Sequence, residues 1–432
     1  MAPIMRSGDA PSFMRPLSLK KVSLKKVSSP RTVLLLVAAV TRLSAYSVLT
    51  HEAIIDTAWE TSLKPLLQKR YPDVTPQQLV EAHAYAYGGA ILQDMGYYPF
   101  GSRSFSDLTH YVRSGDFVTA LLHDAQNVNE YAFALGALAH YCSDIEGHPI
   151  ATNRVVPILN PKLRRKFGPT MTYEDDPAAH LKVEFGFDVV QVAQGAYAPQ
   201  AYHDYIGFQV SKPVLERAFA DTYGVNINDL FVSLDLALGS YRHSVGSVIP
   251  EMTKSAWAAK KDEIVKAHPG MTARKFRYNL SRASFEKEWG RKYEKPGFGA
   301  RLLAFLFRII PKIGPFRALA FRPLTPQTER MFMESFNQSL ARYQLLVAEE
   351  SAGHLVLPNN NFDTGKPAIE SEYHLADQAY AKLLGKLADQ KGEISPELRA
   401  NILSFYRDPS TVPAGKARQE FERLTDPKPA GH

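Results

Sequence analysis

Cysteine is almost missing from this chain: Cys142 is the only one in 432 residues. No disulfide can form within the chain, so packing or bound metal must supply what a disulfide framework would. Apolar runs of bilayer length are missing too. The run VLLLVAAV at 33–40 is far below the roughly 20 residues that a spanning helix needs. Sustained period-two alternation between turns is not found, which argues against a major sheet. Net charge is missing from most of the chain. The formal charge of +7 resides wholly in the first 45 residues, where Arg6, Arg15, Lys20, Lys21, Lys25, Lys26, Arg31 and Arg42 face Asp9 alone. Beyond position 45 the charges balance, so composition gives no support to a polyanionic partner.

What is present is a folded globular composition, 45% apolar and 22% charged, at a length that predicts two domains or one large one. Residues 1–45 read as an export signal. A basic stretch containing SLKKVSLKKV precedes the apolar run, and LSA at 43–45 supplies a cleavage site after Ala45. Met14 is an alternative start; an uncleaved anchor or an untargeted basic tail are the alternatives to cleavage. The expected location is secreted or periplasmic, otherwise extracytoplasmic, with membrane association open. Apolar residues at three- and four-residue spacing predict helices over 51–71, 76–95, 127–147, 178–194 and 226–249. Thr50 is the expected N-cap of the first, with Glu52 facing the helix dipole. Prolines punctuate the loops between them.

The composition shifts near residue 250, dividing the chain into 46–250 and a helical extension, 251–432. Within the extension, 295–328 lacks acidic residues and combines aromatics and aliphatics with Arg301, Arg308, Lys312, Arg317 and Arg322. Such a segment suits an interfacial membrane element whose arginines snorkel, or equally a buried helix. Further helices are expected near 327–351, 371–391 and 395–407. NNNFDTG at 359–365 reads as a turn, with a small bound ion the remote alternative.

The chemistry concentrates in ALAHYCSDIEGHP at 137–149, which sets His140, Asp144 and His148 at four-residue steps on one helical face. DDPAAHLKVEFG adds His180 and Glu184 in the same relation. His51, Asp94 in LQDMGYY and His110 in DLTHYVRSGDF complete a set of eight. A single histidine–carboxylate pair is ordinary helix-surface decoration, and His83, His123 and His203 are set aside as hydrogen-bonded histidines. Two such pairs with three further ligand types form a different pattern. Zinc takes nitrogen and oxygen ligands, and rigid helices preorganise them.

In the order His, Asp, His, His-x3-Asp, His, His-x3-Glu, residues 46–250 resemble the zinc-dependent phospholipases C and the related P1/S1-type nucleases. The resemblance implies an all-α, phospholipase C/P1 nuclease-like helical bundle, here with additional C-terminal helices, and two to three zinc ions. It implies that Asp94, His110, His140 and Asp144 hold one ion. Asp144 would bridge to a second, completed by His51 and the backbone of the mature N-terminal residue, Tyr46; His148, His180 and Glu184 would hold a third. Tyr46 stands where the family commonly has tryptophan. The interval from Asp144 to His148 is shorter than usual, and Glu146 is the alternative ligand. The implied reaction is phosphodiester hydrolysis by zinc-activated water, with Asp94 orienting or deprotonating it, or serving as ligand only.

Glu184 and the basic apolar segment favour phospholipid headgroups as substrate, whereas the short step to His51 favours single-stranded nucleic acid. Tyr97 and Tyr98 could line a headgroup pocket, stack bases, or pack in the core. A non-catalytic, metal-stabilised protein that binds a membrane or a partner is the third reading.

Overall fold

The computed structural model describes residues 48–188, 208–245, 324–390 and 394–426, with isolated positions between 257 and 272. These residues are helical, with no strand beyond a single bridge between Asn360 and Pro367. The helices are α1 (Val48–Ala58), α2 (Lys64–Arg70), α3 (Pro76–Leu92), α4 (Arg103–Tyr111), α5 (Ser114–Asp124), α6 (Val128–Gly147), α7 (Asn153–Leu159) and α8 (Pro161–Phe167). They continue with α9 (Pro177–Phe187), α10 (Lys212–Tyr223), α11 (Leu234–His243), α12 (Pro326–Ala352), α13 (His374–Gln390), α14 (Pro396–Phe405) and α15 (Lys416–Thr425).

Local chemistry starts the helices that matter most. Thr75 and Gln78 form a reciprocal capping box at the head of α3, with Pro76 in the first turn. Asn127 accepts from the backbone N–H groups of Asn129 and Glu130 to open α6. Asp176 accepts from Ala179 N–H at 3.0 Å ahead of Pro177 and opens α9.

Helices α3 and α6 form the centre, and they can approach closely because each sets a glycine against the other's backbone. A Cβ on Gly89 would lie 1.8 Å from the Phe133 carbonyl oxygen, and one on Gly136 would lie 2.0 Å from that of Ala86. The interface is close-packed backbone against backbone, with Ala86, Ala90, Ala132 and Ala137 buried around it. Helix α12 lies along α6: Tyr343, fully buried, donates its hydroxyl to the Leu135 carbonyl at 2.9 Å. Phe336, Tyr343 and Leu346 share one contiguous apolar core with Leu135, Leu138 and residues of α3.

Several elements differ from expectation. Thr50 is not the N-cap of the first helix; it lies inside α1, and its N–H and hydroxyl both donate to Asp188 Oδ1, at 3.0 and 2.7 Å. The cap function falls to a carboxylate far away in sequence, which local inspection cannot find. Glu52 does not act as a solvated dipole anion. It is fully buried, and burial, with Asp56 and Asp188 nearby, pushes its carboxyl well above its usual range. The helix expected over 226–249 begins only at Leu234, because Asn226 caps a separate 3-10 turn, Ile227–Leu230. Position 250, Tyr46, the signal segment 1–45 and residues 295–323 of the basic apolar segment lie outside the described residues. No helix among the described residues is long and apolar enough to cross a membrane.

Candidate metal centre

Six elements bring eight ligand-type side chains to one cleft. Helix α6 carries His140 and Asp144, and its end passes at Gly147 into a π-helical turn, His148–Thr152, that opens with His148. Helix α9 carries His180 and Glu184, α1 carries His51, and α4 carries His110. Asp94 sits in the 3-10 turn Gln93–Tyr97 that ends α3. All except His148 are buried.

Asp144 is the hub. Its Oδ2 lies 3.2 Å from His140 Nε2 and 3.6 Å from His110 Nε2. Its Oδ1 faces a different pair, His51 Nε2 at 3.5 Å and His148 Nε2 at 3.8 Å. Asp94 Oδ1 stands 3.2 Å from His110 Nε2. On the far side, Glu184 Oε1 lies 2.9 Å from His180 Nε2 and 3.1 Å from His148 Nε2. Three groups have ligand atoms close enough to share an ion: His51, Asp94 and His140; His110, His140 and Asp144; and His148, His180 and Glu184.

Two of the imidazoles have their tautomer fixed by the helices. His140 Nδ1 lies 2.8 Å from the Ala90 carbonyl, and His110 Nδ1 lies 2.8 Å from that of Ser106. A carbonyl only accepts, so each Nδ1 carries a proton and each Nε2 is the ring nitrogen left facing the cluster. The close α3–α6 packing is what lets His140 reach across to Ala90.

Burial leaves polar atoms without partners. His51 Nδ1, both ring nitrogens of His180 and Glu184 Oε2 are buried with no hydrogen bond, although His180 and Glu184 stand at ion-pair distance. Orphaned polar atoms inside a protein are costly. Neutral imidazole nitrogens and carboxylate oxygens at helical spacing are the donor set zinc prefers, so these residues fit that ion. The charges already lean on one another. Burial, reinforced by His140, holds His51 down at about 4. At His140 burial is outweighed by Asp144 and Asp94, and the ring is held up at about 9. At Glu184 burial is outweighed by His180 and His148, and the carboxyl sits at about 2.

The cleft above the cluster has two kinds of lining. One is aromatic and polar, with Tyr97 and Tyr173 rings 5.6 Å apart. The other is apolar: Ile54, Phe187, Phe332 and Phe336, with Phe187 stacked on Phe332 at 4.4 Å between centroids. Among the described residues, no lysine or arginine lines the cleft. Tyr98, by contrast, packs in the core against Tyr241, 4.3 Å between centroids.

Residues 50–229 match the family model of zinc-dependent phospholipase C. The chain carries a zinc-dependent phospholipase C domain. No curated protein and no solved structure matches the chain.

Within that domain, His148 rather than Glu146 stands beside His180 and Glu184. The π turn that His148 opens directs its ring inward, while Glu146 lies 3.8 Å from Arg342 of α12. Sequence reasoning missed the contributions from beyond the phospholipase C domain. Phe332, Ser335, Phe336 and Ser339 of α12 line the cleft, and Asp363 lies 3.1 Å from His148 Nδ1. The segment NNNFDTG is the turn its composition predicts, with Asn361 Oδ1 accepting from Asp363 N–H at 2.9 Å and Gly365 at φ +67°. Its burial is what the composition does not announce: Asn361, Phe362 and Asp363 are all enclosed.

Proposed function

We propose that this cleft hydrolyses the phosphodiester that joins a phospholipid to its headgroup, with two to three zinc ions as the resident cofactor. The observation that carries the reading is the division of Asp144, whose two carboxylate oxygens each face a separate pair of histidines. A carboxylate so arranged suits a bridge between two cations. Asp94, His110 and His140 would complete one site with it, and His51 the other, with the backbone of Tyr46 as implied by the family. His148, His180 and Glu184 would hold a third ion.

When bound, zinc neutralises phosphoryl oxygens and lowers the pKa of water toward neutrality. The side chains do the rest. Asp94, which lines the cleft beside His110, orients the attacking water and accepts its proton. The apolar wall of Ile54, Phe187, Phe332 and Phe336 receives the glycerol and acyl side of the lipid, and Tyr97 and Tyr173 flank the other side. The described part of the lining offers apolar and aromatic side chains and no lysine or arginine, which supports lipid over nucleic acid, whose binding rests on cationic contacts to many phosphates.

Export of the chain, with cleavage after Ala45 freeing the Tyr46 amine, belongs to the same proposal and rests on residues 1–45 alone. The decisive experiment takes the mature protein, sequences its N-terminus, and measures metal per chain. Hydrolysis of a phosphatidylcholine analogue and of single-stranded DNA is then followed in parallel. Two to three zinc with lipid cleavage is the expected result. Zinc with DNA cleavage alone would overturn the substrate, and zinc with neither activity would favour a structural centre.

A further inference from the structure

The histidines of the cluster are held in unlike ways. His140 and His110 each rest their Nδ1 on a backbone carbonyl. His148 stands where α6 gives way to the π turn, and its Nδ1 is met by a side chain instead. Asp363 Oδ1 lies 3.1 Å away, at ion-pair distance though not aligned as a straight hydrogen bond. The other ring nitrogen faces Glu184 at 3.1 Å.

Asp363 is itself firmly fixed. Its Oδ2 accepts from Tyr111 Oη at 3.0 Å and from the Tyr373 hydroxyl, and its backbone carbonyl accepts from Asn153 Nδ2 at 2.6 Å. Its loop is pinned as well, since Phe362 N–H donates to the His110 carbonyl at 3.1 Å and Ser114 Oγ to the Asn360 carbonyl at 2.6 Å. One carboxylate oxygen is thus taken up by the scaffold while the other faces the imidazole. Only 2% of Asp363 is exposed, so water cannot replace it.

We propose that Asp363, from outside the phospholipase C domain, is a positioning residue that fixes the ring and tautomer of His148. It thereby sets the zinc affinity of the His148, His180 and Glu184 group. A carboxylate accepting from Nδ1–H leaves the Nε2 lone pair directed at the ligand group and raises its basicity. The inference rests on the metal reading above and adds that the centre is incomplete without the C-terminal part of the chain.

The test titrates zinc into metal-free, full-length mature protein against a chromophoric chelator, comparing wild type, Asp363→Asn and Tyr373→Phe. Asparagine keeps an acceptor for the tyrosines but loses the charge, and its amide can present N–H to His148 and select the wrong tautomer. The expected result is that one ion of the set binds about 10- to 100-fold more weakly. The others should be unchanged, the unfolding midpoint of the metal-free protein should be close to wild type, and the cobalt(II) spectrum of one site should be altered. Tyr373→Phe keeps the carboxylate but removes one anchor, so it should weaken the same ion by a smaller factor; this second variant decides the matter should Asp363→Asn not fold. Unchanged affinities in both variants would overturn the proposal, as would uniform weakening of every ion together with a lowered metal-free midpoint. A wild-type chain that takes up no zinc would overturn the metal reading itself, and this one with it.

Discussion

The helices of residues 48–243 and those of 324–426 share one core but contribute different chemistry to the cleft. The first region supplies every ligand-type side chain of the three groups. The second supplies none, yet it gives the cleft the phenylalanines of α12 and gives His148 its carboxylate partner. The lesson is that reactive groups and their environment can come from separate stretches of one chain. A family match that ends at residue 229 captures the first and leaves out the second.

The sharpest way to break this division is to remove the hub. Asp144→Ala should strip contacts from both histidine pairs and leave buried imidazoles facing one another. Zinc content should fall below that of wild type, and activity should drop at least about 1,000-fold. Stability should fall by about 3 to 5 kcal/mol, as expected when one member of a buried charge cluster is deleted. Normal zinc content and turnover in this variant would remove the bridging role. Chelation is the next largest perturbation. Metal binding contributes to folding free energy, so a strong chelator should lower the unfolding midpoint by about 10 °C, and zinc should restore it. Hydrogen exchange would sharpen the comparison: α6 and α9 should exchange faster without metal, while α13 and α15 remain protected. Equal acceleration in all four would mean that the two regions respond as one.

How much of this was legible in the sequence depends on how local each signal is. His140, Asp144 and His148, like His180 and Glu184, were readable because helical periodicity alone puts them on one face. Asp94 and His110 carry no such local mark, and only their order along the chain, compared with a known family, picks them out. Asp363 shows the limit. Its backbone turn was legible in NNNFDTG, but its meeting with His148 depends on how α12 and the loop after it pack on α4 and α6. The N-terminal cap of α1 escapes local inspection for the same reason, since Asp188 serves it from 138 residues away. Gly89 and Gly136 are a visible signal of another kind: a glycine on each of two helices, set against the other's backbone, announces a close crossing.

That crossing gives a further prediction. Gly136→Ala places a methyl where the Ala86 carbonyl oxygen already lies, 2.0 Å from the added carbon, and backbone cannot swing aside as a side chain can. The helices must separate, and His140, one turn further along α6, would be drawn away from Ala90. The cost should be about 3 kcal/mol, with zinc affinity lowered in parallel, measured by denaturant unfolding and metal titration. A variant of normal stability would show that α3 and α6 have room the close contact denies.

The smallest expected effect tests the second region by itself. Phe332 sits on the apolar wall, stacked on Phe187, and is not a member of any ligand group. Phe332→Leu keeps the wall apolar but loses the flat ring, a change that buried sites tolerate at about 1 kcal/mol of stability. If α12 shapes the cleft for the apolar side of a lipid, KM for a phosphatidylcholine analogue should rise about fivefold, equivalent to about 1 kcal/mol of uniform binding, with kcat held. Zinc content should not move. A fall in kcat with KM unchanged would instead tie α12 to the reacting centre. Loss of zinc would erase the distinction between a region that holds the ions and one that shapes what approaches them.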